Sequence, residues 1–281
     1  MMILITGASG NVGSEVLRQA AAAGLQVRAA YQSADKAKAA PPGVATVLMD
    51  YSQPETVRAA LRDIERVFLV GPPAANVAEM EANLVREAKR SETRHIVKLS
   101  AMGGRKATFP SLHRDSEENI EASGIAYTFL RPNGFMQNFV NFNAPTIKSQ
   151  NAFYAAQGNG AVSHIDIRDI GAAAVKVLAG TGHERKAYTL TGPEALTNSQ
   201  IAEKLSRATG RQIQYVDLPP SDMKKALLGA GVPEWSADAL LNLQAHYKAG
   251  GASLVDPTLE QLIERTAISF DQFARDYASA F

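Results

Sequence analysis

The 281-residue sequence contains no cysteine, which excludes disulfides, thiolate nucleophiles and cysteine-ligated metals. It has almost no net charge. Its 29 Lys and Arg stand against 28 Asp and Glu, for a formal +1, and no run of like charge occurs. Nucleic-acid binding depends on clustered basic excess, so no nucleic-acid partner is expected. Long apolar runs are missing as well. The least polar stretch, Gly171 to Gly180, is interrupted by Lys176 and falls far short of the roughly 20 residues of a membrane span. No signal-peptide pattern precedes the first apolar run, Met2-Ile3-Leu4-Ile5, so a cytoplasmic protein without membrane attachment is expected. No metal site is expected either.

What is present is alternation. Short apolar runs predict strands at Ile3–Thr6, Gln26–Ala30, Val44–Met49, Arg66–Val70, His95–Ser100 and Ala126–Leu130. Between them lie helical segments: one with Val12, Val16, Leu17 and Ala20 on a single face, then Glu55–Arg62, Val77–Arg90 and Leu112–Ser123. Ser52-Gln53-Pro54-Glu55 has the spacing of a capping box. Strands alternating with helices of this length predict an α/β protein of Rossmann type, a doubly wound parallel sheet with helices on both faces. After Asn133 the rhythm loosens. Helices are expected at Phe135–Ile147, Arg168–Ala179, Ser199–Thr209 (opened by a second capping box at Thr197), Ser221–Leu228, Glu234–Lys248, Leu259–Arg265 and Phe270–Ala280, with a returning strand at Tyr188–Leu190. The expected division is a dinucleotide-binding domain over 1–150, joined by 160–190, and a smaller, mostly helical lobe over 191–281 that covers the substrate.

The chemistry-bearing word is Thr6-Gly7-Ala8-Ser9-Gly10-Asn11-Val12-Gly13, placed after the first strand and opening the first helix. Gly7 permits the tight turn, Gly10 lets the backbone approach a phosphate, and Gly13 lets helix and strand pack closely. The helix terminus offers unpaired N–H groups and a positive dipole end to a pyrophosphate. Gly7, Ala8, Ser9, Gly10, Asn11 and Val12 are therefore the expected pyrophosphate contacts. At the end of the second strand an acidic residue would suit the ribose of NAD, and a basic one the 2′-phosphate of NADP. The sequence reads Tyr31-Gln32-Ser33, followed by Asp35-Lys36. With no acid at the strand end, NADP(H) is favoured over NAD(H), held through Gln32 and Ser33 with Lys36 or Arg28 adding charge. A merely solvated loop is the alternative role for Lys36.

The glycines at 7, 10 and 13, together with Leu99-Ser100-Ala101, the stretch Ser123 to Pro132, Asn133-Gly134-Phe135-Met136-Gln137-Asn138-Phe139 and Tyr188 to Pro193, resemble the atypical short-chain dehydrogenase/reductases of the NmrA-like group. The resemblance covers nearly the whole chain and is strongest to the bacterial quinone, triphenylmethane-dye and azo-dye reductases of that group. It implies that Asp50 and Tyr51 flank the adenine, that Gly71-Pro72-Pro73 passes under the adenosine ribose or pyrophosphate, and that Asn133, Gly134 and Phe135 line the nicotinamide. Those reductases usually carry arginine about where Gln32 stands, a departure that leaves the dinucleotide preference open.

Ordinary short-chain dehydrogenases protonate their product with a Tyr-x-x-x-Lys pair, beside a serine at the end of the fifth strand. Ser100 has the serine's place and is also a cofactor contact, but the following helix has no such pair. Its candidate acid is His113, four residues before Glu117 on the same helix face, where a carboxylate would raise the imidazole pKa. A surface ion pair is the alternative reading. Met136, Asn138, His164 and Trp235 are candidate substrate contacts. Packing is the competing role for Met136 and Trp235, as it is for Phe135, and Tyr247 is read as lid or packing. The missing pair favours an acceptor that needs no strong proton donor. The expectation is thus an NAD(P)H-dependent oxidoreductase passing hydride to a small, flat, quinone-like or dye-like aromatic, with a homodimer as the default assembly. The alternative is a non-catalytic, dinucleotide-sensing regulator that binds a protein partner.

Overall fold

The computed structural model describes residues 1–281. The chain divides into two compact units, one formed by Met1–Ala101, Leu112–Arg131 and Ile167–Tyr188, the other by Met102–Ser111, Pro132–Asp166 and Thr189–Phe281. These units differ from the expected boundaries in grouping 102–111, 132–150, 160–166 and 189–190 with the carboxyl-terminal segments.

The first unit opens with β1 (Ile3–Ile5), α1 (Asn11–Ala22), β2 (Val27–Tyr31), α2 (Ala34–Ala37), β3 (Ala45–Leu48) and α3 (Pro54–Ala60). It continues with β4 (Arg66–Leu69), α4 (Val77–Ala88), β5 (His95–Leu99), α5 (Thr108–Ser123) and β6 (Ala126–Pro132). The sheet order is β3-β2-β1-β4-β5-β6-β8, where β8 is Lys186–Leu190. The ladders from β3 through β6 are all parallel. Strand order therefore reverses between β1 and β4, and such a switch point opens a crevice at the strands' carboxyl ends. Thr6 ties that point together. Its hydroxyl faces the Phe68 carbonyl at 3.1 Å and accepts the Val70 N–H at 2.8 Å.

One face of the sheet is sealed by a core that includes Leu4, Val57, Leu61, Ile64, Val67, Leu84, Ile96 and Phe129, each at most 1% exposed. Elsewhere in the unit, α1 packs on α7 (the helix Ile167–Ala179). Gly171 makes room there, since a Cβ would lie 2.6 Å from Gln19 Nε2. The carbonyls ending α7 are satisfied by Arg66, whose guanidinium donates to Leu178 and Gly180, each at 2.7 Å.

Two expectations fail locally in this unit. The capping box at Ser52 does not form: Gln53 is the N-cap of α3, with no side-chain cap. The Asp50 carboxylate takes both the N–H and the hydroxyl of Ser52, at 2.8 and 2.7 Å, because a charged acceptor outcompetes a helix terminus. Helix α5 begins four residues earlier than expected. Pro110 falls in its first turn, where a missing N–H leaves no bond unmade.

The second unit contains α6 (Ala144–Gln150), β7 (Ala152–Ala155), α8 (Asn198–Thr209), β9 (Gln214–Asp217), α9 (Pro220–Gly229), α10 (Glu234–Lys248), α11 (Thr258–Ile263) and α12 (Phe270–Asp276). Strands β7 and β9 pair in parallel, and α8 packs on α12 over a core of Phe139, Ile147, Phe153, Ile201, Leu205, Phe270 and Phe273. The Thr197 capping box forms in full, with side chain and backbone reciprocally bonded to Gln200. The expected helix Phe135–Ile147 forms from Gln137 and runs on to Gln150, so only its first two residues fall outside it. Phe135 bridges Ile165 instead, and a π-turn over Phe139–Asn143 leads into α6. Pro145, which has no N–H to return to the Asn141 carbonyl, accounts for the π-turn rather than a regular helix at this point.

Candidate active site

At the switch point the backbone itself forms the cradle. Gly7 has φ +60°, a region that glycine enters without steric cost. A Cβ on Gly13 would stand 2.1 Å from the Gly7 carbonyl oxygen, and one on Gly10 would stand 3.3 Å from it. Helix α1 starts at Gly10 with no capping side chain and no acidic residue in its first turn. Ser9, Gly10 and Asn11 are exposed, while Ala8 and Val12 are buried. An uncapped, carboxylate-free helix terminus on solvent is a site for an anion, and the exposed Gly10, with no side chain in the way, leaves the approach of a pyrophosphate clear.

The end of β2 carries Gln32, exposed, with Lys36 Nζ on its Oε1 at 3.3 Å. That bond leaves both N–H groups of the Gln32 amide uncommitted. Ser33 is occupied as the N-cap of α2. Arg28 points elsewhere: its guanidinium caps α3, donating to the Ala60 and Arg62 carbonyls at 3.1 and 2.7 Å. The charge expected from Arg28 at the 2′-phosphate is thus not available. The Asp50 carboxyl is held below its usual range by the two Ser52 bonds. Tyr51 donates to the Val70 carbonyl at 2.9 Å, and burial, then the Glu81 charge, raises its pKa. Gly71 is locked by Glu81, whose Oε1 accepts its N–H at 2.8 Å. Pro72 and Pro73 follow with part of their surface open.

Beneath these turns lie two buried ionic clusters. In the first, Lys98 and Glu81, both 0% exposed, pair at 2.8 Å. Lys98 also donates to the Leu99 carbonyl at 2.5 Å and to His113 Nδ1 at 3.2 Å, and Ser116 donates to Glu81 Oε2. In the second, Glu117 accepts from Ser100 Oγ at 2.6 Å, from Arg131 at 2.8 and 2.6 Å, and from Arg114 at 2.6 Å. These bonds hold its carboxyl low against the opposing effect of burial.

The expected His113–Glu117 couple is therefore corrected. The partner of His113 is a lysine, and burial plus that positive charge drives its pKa well down, making a neutral ring rather than an acid near neutrality. Ser100 keeps its place at the end of β5, but its proton is given to Glu117. Glu81 and Lys98 had not been singled out from sequence. The available signal was a lysine inside the otherwise apolar run Ile96–Leu99.

In the second unit, Asn133 is buried and fully engaged. Its Nδ2 donates to Ser163 Oγ and to the Ala252 carbonyl, each at 2.8 Å, and its Oδ1 accepts the Gly134 N–H at 2.9 Å. It shapes the loop, leaving Gly134 and Phe135 half-buried. Met136 is 1% exposed within the core, so the substrate contact expected of it is replaced by packing. Asn138 is half-buried, and Trp235 is 37% exposed, edge-on to Phe109 at 6.3 Å. His164 is 9% exposed, and neither ring nitrogen has a hydrogen-bond partner.

Burial lowers the pKa of His164, and of His95 in the first unit, from 6.5 to about 4. Both are neutral when folded and protonate when unfolded as pH falls below 6.5. Stability present above that pH is consequently lost between pH 6.5 and 4. The expected loss is about 2 kcal/mol per histidine between pH 6.5 and 5. Urea unfolding at the two pH values, with His95→Gln flattening the dependence, checks this.

A parallel sheet that reverses its order beside a glycine-lined, uncapped helix terminus defines a Rossmann-type dinucleotide-binding fold. The chain belongs to the NmrA-like family, whose family model matches residues 1–269. It is 37% identical to the NAD(P)H azoreductase of Xenophilus azovorans, over 100% of this chain and 99% of that one. The NADPH-dependent quinone oxidoreductase of Escherichia coli, solved with NADPH, superposes with a TM-score of 0.90 at 27% identity, covering 98% and 99% of the two chains. The triphenylmethane reductase of Citrobacter sp. superposes with a TM-score of 0.89 at 25% identity, covering 99% and 100%. No helix is long and apolar enough to cross a membrane.

Proposed function

We propose that this protein, an NAD(P)H-dependent reductase of the NmrA-like family, uses NADP(H) to pass hydride to a flat, conjugated acceptor such as a quinone or a dye. The named relatives act in that chemistry, and the cradle at Gly7, Gly10 and Gly13 fits the cofactor's pyrophosphate. The observation that carries the acceptor class is the state of β5 and α5. Helix α5 contains neither tyrosine nor lysine, the Ser100 proton is committed to Glu117, and His113 accepts from Lys98. A simple ketone, whose reduction leaves an alkoxide needing a strong donor, finds none there. A quinone, azo dye or delocalised carbocation yields a stabilised anion or a neutral product that solvent can finish.

When bound, the cofactor supplies the hydride. The chain's own part is to bind and orient. On the first unit, Gly7 to Val12 hold the pyrophosphate, Gln32 and Lys36 meet the 2′-phosphate, Asp50, Tyr51 and Gly71 to Pro73 border the adenosine, and Ser100 borders the nicotinamide. Asn138, His164 and Trp235 receive the acceptor.

The test is paired titration with NADPH and NADH, reading binding by cofactor fluorescence and turnover by absorbance loss on adding quinones and dyes. Acceptor-dependent oxidation supports the reductase. Tight binding with no oxidation across both acceptor classes overturns it in favour of a dinucleotide sensor, and no binding removes the glycine-turn assignment. Gln32→Arg is expected to raise the NADPH-over-NADH preference about tenfold through a charge-assisted phosphate bond. An unchanged preference would place the 2′-phosphate elsewhere.

A further inference from the structure

Two neutral hydrogen-bond donors border Gly134 in the second unit. A Cβ at that residue would lie 2.9 Å from His164 Nδ1 and 3.4 Å from the Tyr247 hydroxyl oxygen. The absence of a side chain at Gly134 therefore lets the His164 ring and the Tyr247 hydroxyl pack close to the same stretch of backbone, and so beside each other. The two donors are seated by further glycines. A Cβ on Gly192 would stand 1.8 Å from the His164 carbonyl oxygen, and one on Gly160 would stand 2.3 Å from that of Tyr247. Such close backbone approach fixes where each side chain starts. The His164 ring is also held edge-on by Phe139, at 5.3 Å and 79°.

His164 is nine-tenths buried and has no partner for either ring nitrogen. An unpaired buried polar group costs about 1–3 kcal/mol, a cost removed when a ligand supplies the missing bond. Tyr247 is half-buried. Neither group titrates near neutrality: burial takes His164 down to about 4 and Tyr247 up to about 12.

Building on the reductase reading above, we propose that the Tyr247 hydroxyl and the His164 ring N–H form a donor pair for an acceptor's carbonyl oxygen, stabilising the negative charge that hydride transfer places on it. A quinone takes a hydride, which carries two electrons, from the dihydronicotinamide, which is oxidised to the nicotinamide cation. The resulting hydroquinone monoanion bears its charge on oxygen and takes its last proton from water. A triphenylmethane carbocation instead becomes neutral on taking hydride and has no such oxygen. The pair is thus a specificity device for oxygen-bearing acceptors. Preorganised donors of this kind contribute more than tenfold to rate.

The experiment compares wild type with Tyr247→Phe on a naphthoquinone and on a cationic triphenylmethane dye. Tyr247→Phe is expected to lower the quinone-to-dye ratio of kcat/KM by roughly tenfold to a hundredfold. Equal losses on both acceptors, or no loss on the quinone, overturn the pair. A second arm needs no turnover. Hydroquinone binding is read from the fluorescence of Trp235, the only tryptophan in the chain. Gly134→Ala, which crowds Nδ1, and Tyr247→Phe should each weaken it several-fold. Unweakened binding overturns the pair whether or not the wild type oxidises NADPH. Absent turnover alone overturns the reductase reading instead.

Discussion

Gly13→Ala will abolish dinucleotide binding and destabilise the first unit, while Gly10→Ala will weaken binding and leave the fold intact. The two substitutions add the same methyl six residues and three residues after Gly7. At Gly13 the methyl meets the Gly7 carbonyl oxygen at 2.1 Å and its carbon at 2.6 Å. Both are backbone atoms, and the oxygen already accepts the Gly10 N–H at 2.9 Å. Relief requires α1 to lift away from the turn, which separates Val12, Val16 and Leu17 from the core they fill. Overpacking of this kind costs about 1–3 kcal/mol. At Gly10 the methyl stands 3.3 Å from the same oxygen, in an exposed position with φ −88° that any residue adopts. Stability should shift by less than about 1 kcal/mol, yet the methyl occupies the approach of a phosphate, and affinity for NADPH should fall at least about tenfold. Fluorescence titration and urea unfolding of both variants check this. Wild-type affinity in Gly13→Ala would show that the cofactor does not use this turn.

The glycine turn was legible because everything that makes it work is local: a strand, three glycines and a helix within a dozen residues. The same holds for the alternation that built the sheet, whose register follows from buried strands such as Ile3–Ile5 and Val67–Leu69. Capping shows where local reasoning stops. Thr197 and Ser52 have the same spacing to a polar partner three residues on, yet only Thr197 closes a capping box. The difference lies outside the four-residue word, in the Asp50 carboxylate two residues upstream of Ser52. Phe135 is a similar case, since its apolar spacing suits a helix and its actual bridge is to Ile165, thirty residues away.

The ionic clusters were the least legible part of the candidate site. His113 and Glu117 do share a face of α5, as their spacing requires, but proximity on a helix does not choose partners. Each is claimed by a strand residue, His113 by Lys98 on β5 and Glu117 by Arg131 on β6. The sheet order that places β6 beside β5 decides this, and no window of sequence contains it. The second unit is harder still, because Gly134, His164, Gly192 and Tyr247 come from four separated stretches. What identifies them is the room that glycines leave, and that is a property of tertiary contact.

Lys98→Met carries the other large expected effect, a loss of about 3–5 kcal/mol of stability, because it strands the Glu81 carboxylate at 0% exposure. Methionine replaces the lysine stem in volume, so little cavity cost is added. The remaining bonds to Glu81, from Gly71 N–H and Ser116, are too few to hold a bare charge out of water. Glu81→Gln in the same background removes that charge while retaining an oxygen for Gly71. The double variant should thus recover most of the loss, and a double-mutant cycle should show strongly non-additive coupling. Function enters through Gly71. With Glu81 drawn toward solvent, the turn after β4 loses the acceptor for its N–H, and NADPH affinity should fall alongside stability in Lys98→Met but return in the double variant. Additive effects in the cycle would mean the pair is not energetically coupled. A double variant that regained stability without regaining affinity would mean that Lys98 acts on the cofactor by some route other than the Glu81–Gly71 contact.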